Sequence, residues 1–178
     1  MIVVTGMPGA GKDEFVQIAK SFGMKDVHMG DTVKTYAKRT GVNMTDRDIG
    51  SFATVERKNF GMDIWAKRTG ESISDPDRTI VDGLRNTEEL EYFRNNFNNV
   101  KVVAIYANKH DRLDRIMHRN RIDDVKSENE LDMRDGRELS WGIGKTISLA
   151  DYMIINDGTL EEFKAKSRDF MEKIMSIQ

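Results

Sequence analysis

The chain has 178 residues, 28 Lys and Arg against 30 Asp and Glu, a formal net charge of -2 and no cysteine. That length buries a core without staples, the near-balance of charge argues against a nucleic-acid footprint or a polybasic membrane anchor, and the missing cysteine excludes disulfides, thiolate zinc sites and thiol nucleophiles. A cytoplasmic protein with a small-molecule partner is expected, since the opening MIVVTG is too short for a signal peptide and no apolar run approaches the roughly 18 residues of a membrane helix. The eleven methionines are read as flexible core filler.

The first element is an apolar strand at Ile2–Thr5, followed by GMPGAGK at residues 6–12 and a helix carrying Phe15, Ile18 and Ala19. Strand, G-x-x-x-x-G-K and helix in that order form a phosphate-binding loop. Gly6, Met7, Pro8, Gly9, Ala10 and Gly11 offer backbone N–H groups as an anion nest, and Lys12 reaches the outer phosphates of a nucleotide, ATP being expected. Asp13 stands where a Ser or Thr hydroxyl ordinarily binds Mg²⁺. It either ligates the metal itself or caps the helix start, where negative charge is favoured.

After the short segment 27–29 comes Asp31, then a helical stretch over residues 32–72 that reads as an insertion, with Ile49, Phe52, Ala53 and Phe60 on one face. A second strand covers residues 79–82, where Asp82 precedes Gly83 as a candidate Mg²⁺ carboxylate or a turn-forming Asp-Gly. A third covers residues 100–106, and Tyr152–Ile155 forms another before the last helix. Strands alternating with helices predict a parallel sheet covered on both faces. Thr45 with Asp48, Ser127 with Glu130 and Thr159 with Glu162 are spaced as helix capping boxes. Arg112, Arg115 and Arg119 share a helical face, with Leu113, Ile116 and Met117 expected to anchor that helix in the core. Residues 119–137 are charge-dense, with few large apolar side chains, and are expected to bury little and to move. The three histidines, His28, His110 and His118, have no zinc-ligand spacing.

Beyond the loop, MGD at 29–31, VDGLRN at 81–86, RLDRIMHRNRIDD at 112–124, RDGRELSWGIG at 134–144 and ADYMIINDGTLEEF at 150–163 resemble an archaeal family of P-loop proteins similar to dephospho-CoA kinase and, more distantly, adenylate kinase. The resemblance implies a nucleotide-kinase fold in one domain: a five-stranded parallel sheet flanked by helices, a helical acceptor-binding insertion at about 31–72 and a short lid at about 119–137. It implies ATP and Mg²⁺ as cofactors and γ-phosphoryl transfer to a small nucleotide-like acceptor. Gly30-Asp31 resembles the Gly-Asp opening the acceptor helix of adenylate kinases, but Lys34 stands where they carry an arginine. Residues 82–85 are one residue shorter than their Asp-Gly-x-Pro-Arg. Asp31, Lys34 and Arg85 are thus candidate acceptor contacts, and both departures argue against AMP. In similar kinases the turn at Asn156-Asp157-Gly158 passes near the adenine, which makes Asn156 and Gly158 candidates; a plain turn into the last helix would use the same residues.

Phosphoryl transfer asks for positioning and charge neutralisation. Arg119 and Arg121, where the lid begins, are candidate catalytic cations, whereas Arg112 also reads as a solvated salt-bridging residue. Asp31 would be the general base toward a hydroxyl acceptor, would orient metal-bound water toward a phosphate acceptor, or would simply cap its helix. Two other readings remain. Asn108-Lys109-His110-Asp111 matches the guanine-recognition motif of GTPase switches, although the chain lacks their Ser or Thr after Lys12 and their Asp-x-x-Gly; Asn108 as a helix cap is the plain alternative. An ATP-binding or ATP-hydrolysing regulator without a small-molecule acceptor is the other.

Overall fold

The computed structural model describes residues 1–119 and 125–176, so Arg121 lies outside the described residues. In chain order the elements are β1 (Ile2–Thr5), α1 (Lys12–Ser21), β2 (Lys25–His28), α2 (Met29–Arg39), α3 (Asp46–Phe60), α4 (Ile64–Gly70), β3 (Thr79–Leu84), α5 (Thr87–Asn96), β4 (Lys101–Tyr106), α6 (Lys109–Arg119), α7 (Glu128–Ser140), α8 (Ile143–Ser148), β5 (Tyr152–Ile155) and α9 (Leu160–Met175). The five strands form one sheet in the order β2-β3-β1-β4-β5, every neighbouring pair parallel. Among the described residues no helix is long and apolar enough to cross a membrane.

The period-2 alternation of side chains along β1 divides the core. Ile2 and Val4 pack on one face with Phe15 and Ala19 of α1 and Phe163 and Met171 of α9. Val3 packs on the other with Met29, Trp65, Leu90 and Phe93 from α2, α4 and α5. A strand buried on both faces reads as a continuous apolar run, which is why β1 and β4 were visible in the sequence. β2 carries Lys25, Asp26 and His28 on the sheet edge, so it offered no such run.

Several local expectations are corrected. β3 continues through Gly83 to Leu84 instead of ending at Asp82, because Leu84 still pairs with Thr5 across a register shift. α2 begins at Met29 with His28 at the cap position, so Asp31 lies in the first turn and does not cap. Phe60 at the end of α3 is 56% exposed and Met117 on α6 is 45% exposed, so neither anchors its helix; Ile116 and Leu113 do. Of the methionines, Met1, Met24, Met29 and Met171 fill the core, whereas Met44, Met117, Met133 and Met153 are exposed.

Within the charge-dense stretch, residues 128–140 form a regular helix that does bury surface. Leu131 is fully buried against Ile116 and Val125, and one such residue suffices when the next turn adds the ion pair between Arg112 and Asp135. Thr159 and Glu162 complete a reciprocal capping box, while the side chains of Thr45 and Ser127 each accept the N–H three residues on. Asn86 and Glu89 make a further complete box at α5, with asparagine in place of Ser or Thr.

Candidate nucleotide and acceptor site

The loop leaves β1 at Thr5, whose hydroxyl donates to the Leu84 carbonyl at 2.8 Å and ties its root to the neighbouring strand. Gly9 and Gly11 have φ of 79° and 106°. A Cβ at Gly9 would press on the Arg112 carbonyl, and one at Gly11 would overlap the Asn156 amide, so glycine serves here for clearance as well as conformation. Lys12 opens α1 and donates from Nζ to the carbonyls of Gly6 at 2.8 Å and Met7 at 3.2 Å. Burial lowers its pKa from the ordinary lysine value, opposed mainly by the charge of Asp82.

Two braces reach the loop from distant sequence. Arg112 Nη1 donates to the Pro8 carbonyl at 2.9 Å while the same guanidinium pairs with Asp135, so this arginine is buried rather than solvated. Asn156 Nδ2 donates to the Ala10 carbonyl at 2.9 Å, and Arg115 Nη2 donates to both the Asn156 carbonyl and its side-chain oxygen at 3.1 Å.

A cavity of about 750 Å³ starts at the loop. Pro8, Gly9, Gly11, Lys12 and Asp13 line it at one end, with Asn156, Gly158, Arg115 and Arg119 beside them. Asp31, Lys34, Asp82 and Arg85 line it further on, and Arg57, Arg134, Arg137 and Trp141 close the far wall. Gly6, Met7 and Ala10 shape the loop without lining the cavity. Asp13 lies 3.8 Å from Arg119 Nη1. Arg85 donates to Glu138 at 2.9 Å and to the Gly83 carbonyl.

Asp82 projects from β3 next to His28, whose Nδ1 is 3.3 Å from Asp82 Oδ2, while His28 Nε2 is 3.2 Å from Asp26. The Asp82 hydrogen bond chiefly raises the His28 pKa to about 9, against the effect of burial. Burial acts to raise the Asp82 carboxyl, but the hydrogen bond from His28 and the charges of Lys12 and His28 outweigh it and hold the group below its ordinary value. Asp82 therefore stays ionised, and its buried Oδ1 has no hydrogen-bond partner among the described residues. An ionised carboxylate with a free lone pair fits Mg²⁺ or its water shell, which needs only one or two protein carboxylates beside substrate phosphates. Among the described residues no cluster of three or more metal-ligating side chains exists, so a cage made of protein alone is absent.

The guanine-recognition motif is used structurally. Asn108 caps α6 by accepting the Asp111 N–H at 2.9 Å and donates to the Asp111 carboxylate at 2.8 Å. Lys109 pairs with Glu128 and Asp132, and none of these residues lines the cavity. The sequence reading overlooked Arg57, Trp141 and His28 as wall residues and took Arg134 and Arg137 only as part of a polar stretch. Their signal was the spacing of Arg134, Arg137 and Trp141, three and seven apart on one face of α7.

Comparison with known proteins places this geometry. A family described as AAA domain matches residues 2–134. A UPF0200 protein of Thermoplasma acidophilum is 58% identical over 177 residues, covering 99% of this chain and 98% of its own. Among solved structures, a shikimate kinase from Bacteroides thetaiotaomicron superposes with a TM-score of 0.66 at 12% identity, covering 98% of this chain and 97% of that one. A dephospho-CoA kinase from Campylobacter jejuni gives a TM-score of 0.56 at 19% identity, covering 97% and 96%. At these identities the two kinases are similar to the chain in fold.

Proposed function

The chain belongs to the UPF0200 family of archaeal P-loop proteins, and on that premise we propose that it is an ATP-dependent kinase transferring the γ-phosphoryl group to a small acceptor. The observation that carries the reading is one cavity lined both by Lys12 and the glycine loop and by further charged groups, Asp31, Lys34 and Arg85, from other elements. A protein that only sensed ATP would need the first set and not the second. The two structurally similar kinases act, by their names, on shikimate and dephospho-CoA, which supports a small-molecule acceptor; within that range the dephospho-CoA or nucleoside monophosphate class is our proposal.

In this reading the loop N–H groups and Lys12 hold the donor phosphates, and Asn156 with Gly158 flank the nucleotide. Mg²⁺, when bound, would neutralise charge on the donor phosphates, with Asp82 and Asp13 as its protein partners. Asp31 takes the proton of a hydroxyl acceptor, or orients water if the acceptor is itself a phosphate. Lys34 and Arg85 position the acceptor. Arg119, together with Arg121, neutralises charge on the migrating group, and the segment at 119–137 is assigned as the lid that excludes water.

The test is turnover by the purified chain with Mg-ATP and a panel of dephospho-CoA, nucleoside monophosphates and nucleosides, with phosphorylated product identified by mass spectrometry. ADP release that depends on one acceptor, with that acceptor gaining a phosphoryl group, is expected. ADP release indifferent to every acceptor would make the chain an ATP-hydrolysing regulator instead.

A further inference from the structure

We propose that the far wall of the cavity, Arg134 and Arg137 backed by Arg57, is an oxyanion subsite. The small molecule bound opposite the loop then carries a phosphate or carboxylate of its own. Its identity as phosphoryl acceptor rests on the kinase reading above, whereas binding at the wall requires no turnover.

The charge inventory points there first. Four guanidinium groups, Arg57, Arg85, Arg134 and Arg137, share ion pairs with three carboxylates, Glu89, Glu138 and Asp46; Asp82 adds negative charge near Arg85 but is itself held chiefly by His28 and Lys12. Arginine stays protonated in proteins, so the excess cannot be discharged by losing a proton. The carboxylates are also already committed. Glu89 accepts from Arg57 and from the backbone N–H of Arg85, and Glu138 accepts from Arg85.

The hydrogen-bond inventory agrees. Arg57 is 3% exposed, stacks over Trp141 with its guanidinium carbon 4.3 Å from the ring centroid, and uses Nη2 on Glu89. Its Nε and Nη1 have no hydrogen-bond partner among the described residues; nor do Arg134 Nη1 and Arg137 Nε, while Arg134 Nε has its 3.2 Å approach to Asp46. A buried N–H left without an acceptor is costly, and the three arginines that carry these donors line one cavity. What would complete them is a ligand rich in acceptor oxygens. Asp46 already displays the fit: one of its oxygens lies 2.6 Å from Arg137 Nη2 and the other 3.2 Å from Arg134 Nε, so the pair grips a single carboxylate from two sides.

The experiment fills the loop of the full chain with Mg²⁺ and a non-hydrolysable ATP analogue, then titrates inorganic phosphate or acetate by calorimetry at constant ionic strength. Anion binding above a chloride control is expected, weakened about tenfold or more by Arg137→Gln, as loss of a charge-assisted hydrogen bond implies. Preference for phosphate identifies a phosphate monoester as ligand; preference for acetate identifies a carboxylate. Gly50→Ala gives a second test that leaves the arginine in place. A Cβ at Gly50 would overlap the Arg137 guanidinium, so alanine within α3 displaces Arg137 while favouring the helix, and should weaken the anion comparably. Arg94→Gln, which removes a surface pair with Asp151, should leave anion binding unchanged. No binding above chloride, or binding that survives both Arg137→Gln and Gly50→Ala, overturns the subsite. If the wild-type chain fails to bind the nucleotide, while phosphate titrates into the Lys12→Ala chain and that binding is lost when Arg137→Gln is added, the kinase reading falls and the subsite stands.

Discussion

Asn156 Nδ2 reaches across 146 residues of sequence to the Ala10 carbonyl at 2.9 Å, so the turn after the last strand holds the crest of the phosphate loop in place. Asn156→Ala strands that carbonyl and removes one of the two acceptors of Arg115 Nη2, the Asn156 backbone carbonyl remaining. The expected cost is about 1–3 kcal/mol in chemical denaturation, with nucleotide affinity reduced roughly tenfold in calorimetric titration. Unchanged affinity at reduced stability would make the brace purely architectural.

Lys12→Ala should abolish turnover and weaken triphosphate binding while the melting transition remains cooperative. Among the described residues the ammonium's hydrogen bonds go to loop carbonyls, the main charge acting on it is that of Asp82, and it belongs to neither apolar core. Nucleotide titration beside thermal melts separates the two effects.

The His28 pKa of about 9 lies above the ordinary 6.5, so its contribution to stability is fully present below pH about 6.5 and is lost as pH rises through about 9. Denaturation midpoints measured from pH 6 to 9.5 should therefore fall across that window. His28→Gln should flatten the decline, and an equal decline in that variant would assign it to another group.

Arg119→Ala, and equally Arg121→Ala, should lower turnover on the order of 10²-fold, more than it weakens ATP binding. A cation aimed at developing charge acts mainly in the transition state. The comparison is kcat with the acceptor that the turnover panel selects against the Kd for Mg-ATP.

Arg57 and Glu89 are 3% and 0% exposed and pair at 2.9 Å. Glu89→Ala also removes the α5 capping box, so a loss of about 3–5 kcal/mol is expected by urea denaturation.

The parts of this molecule legible in the sequence are those set by local rules. β1, the loop and α1 follow one another within 21 residues, so a short window contained the whole phosphate nest. The strand ends at Ile2–Thr5 and Tyr152–Ile155 likewise coincide with the ends of apolar runs, although β1 is buried throughout and in β5 only Ile154 is. What escaped was set by contacts between distant elements. Nothing near Asn156 in sequence announces that its amide is used on Ala10, and nothing near Arg112 announces a buried pair with Asp135. The NKHD motif misled for the opposite reason: a helix cap and a base-recognition loop ask for the same residues, and only the position of Asn108 away from the cavity separates them.

Neighbouring residues of α7 face two different tasks. Asp135 grips Arg112, which holds Pro8 in the phosphate loop, while Arg134 and Arg137 clasp Asp46 at the start of α3. One helix thus joins the loop to the arginine wall, and a shift of α7 that suits an occupant at one must be felt at the other. Linkage then makes the effect reciprocal: whatever factor ATP applies to the affinity for the second ligand, that ligand returns to ATP. The order in which the two arrive would be a matter of concentration rather than of design.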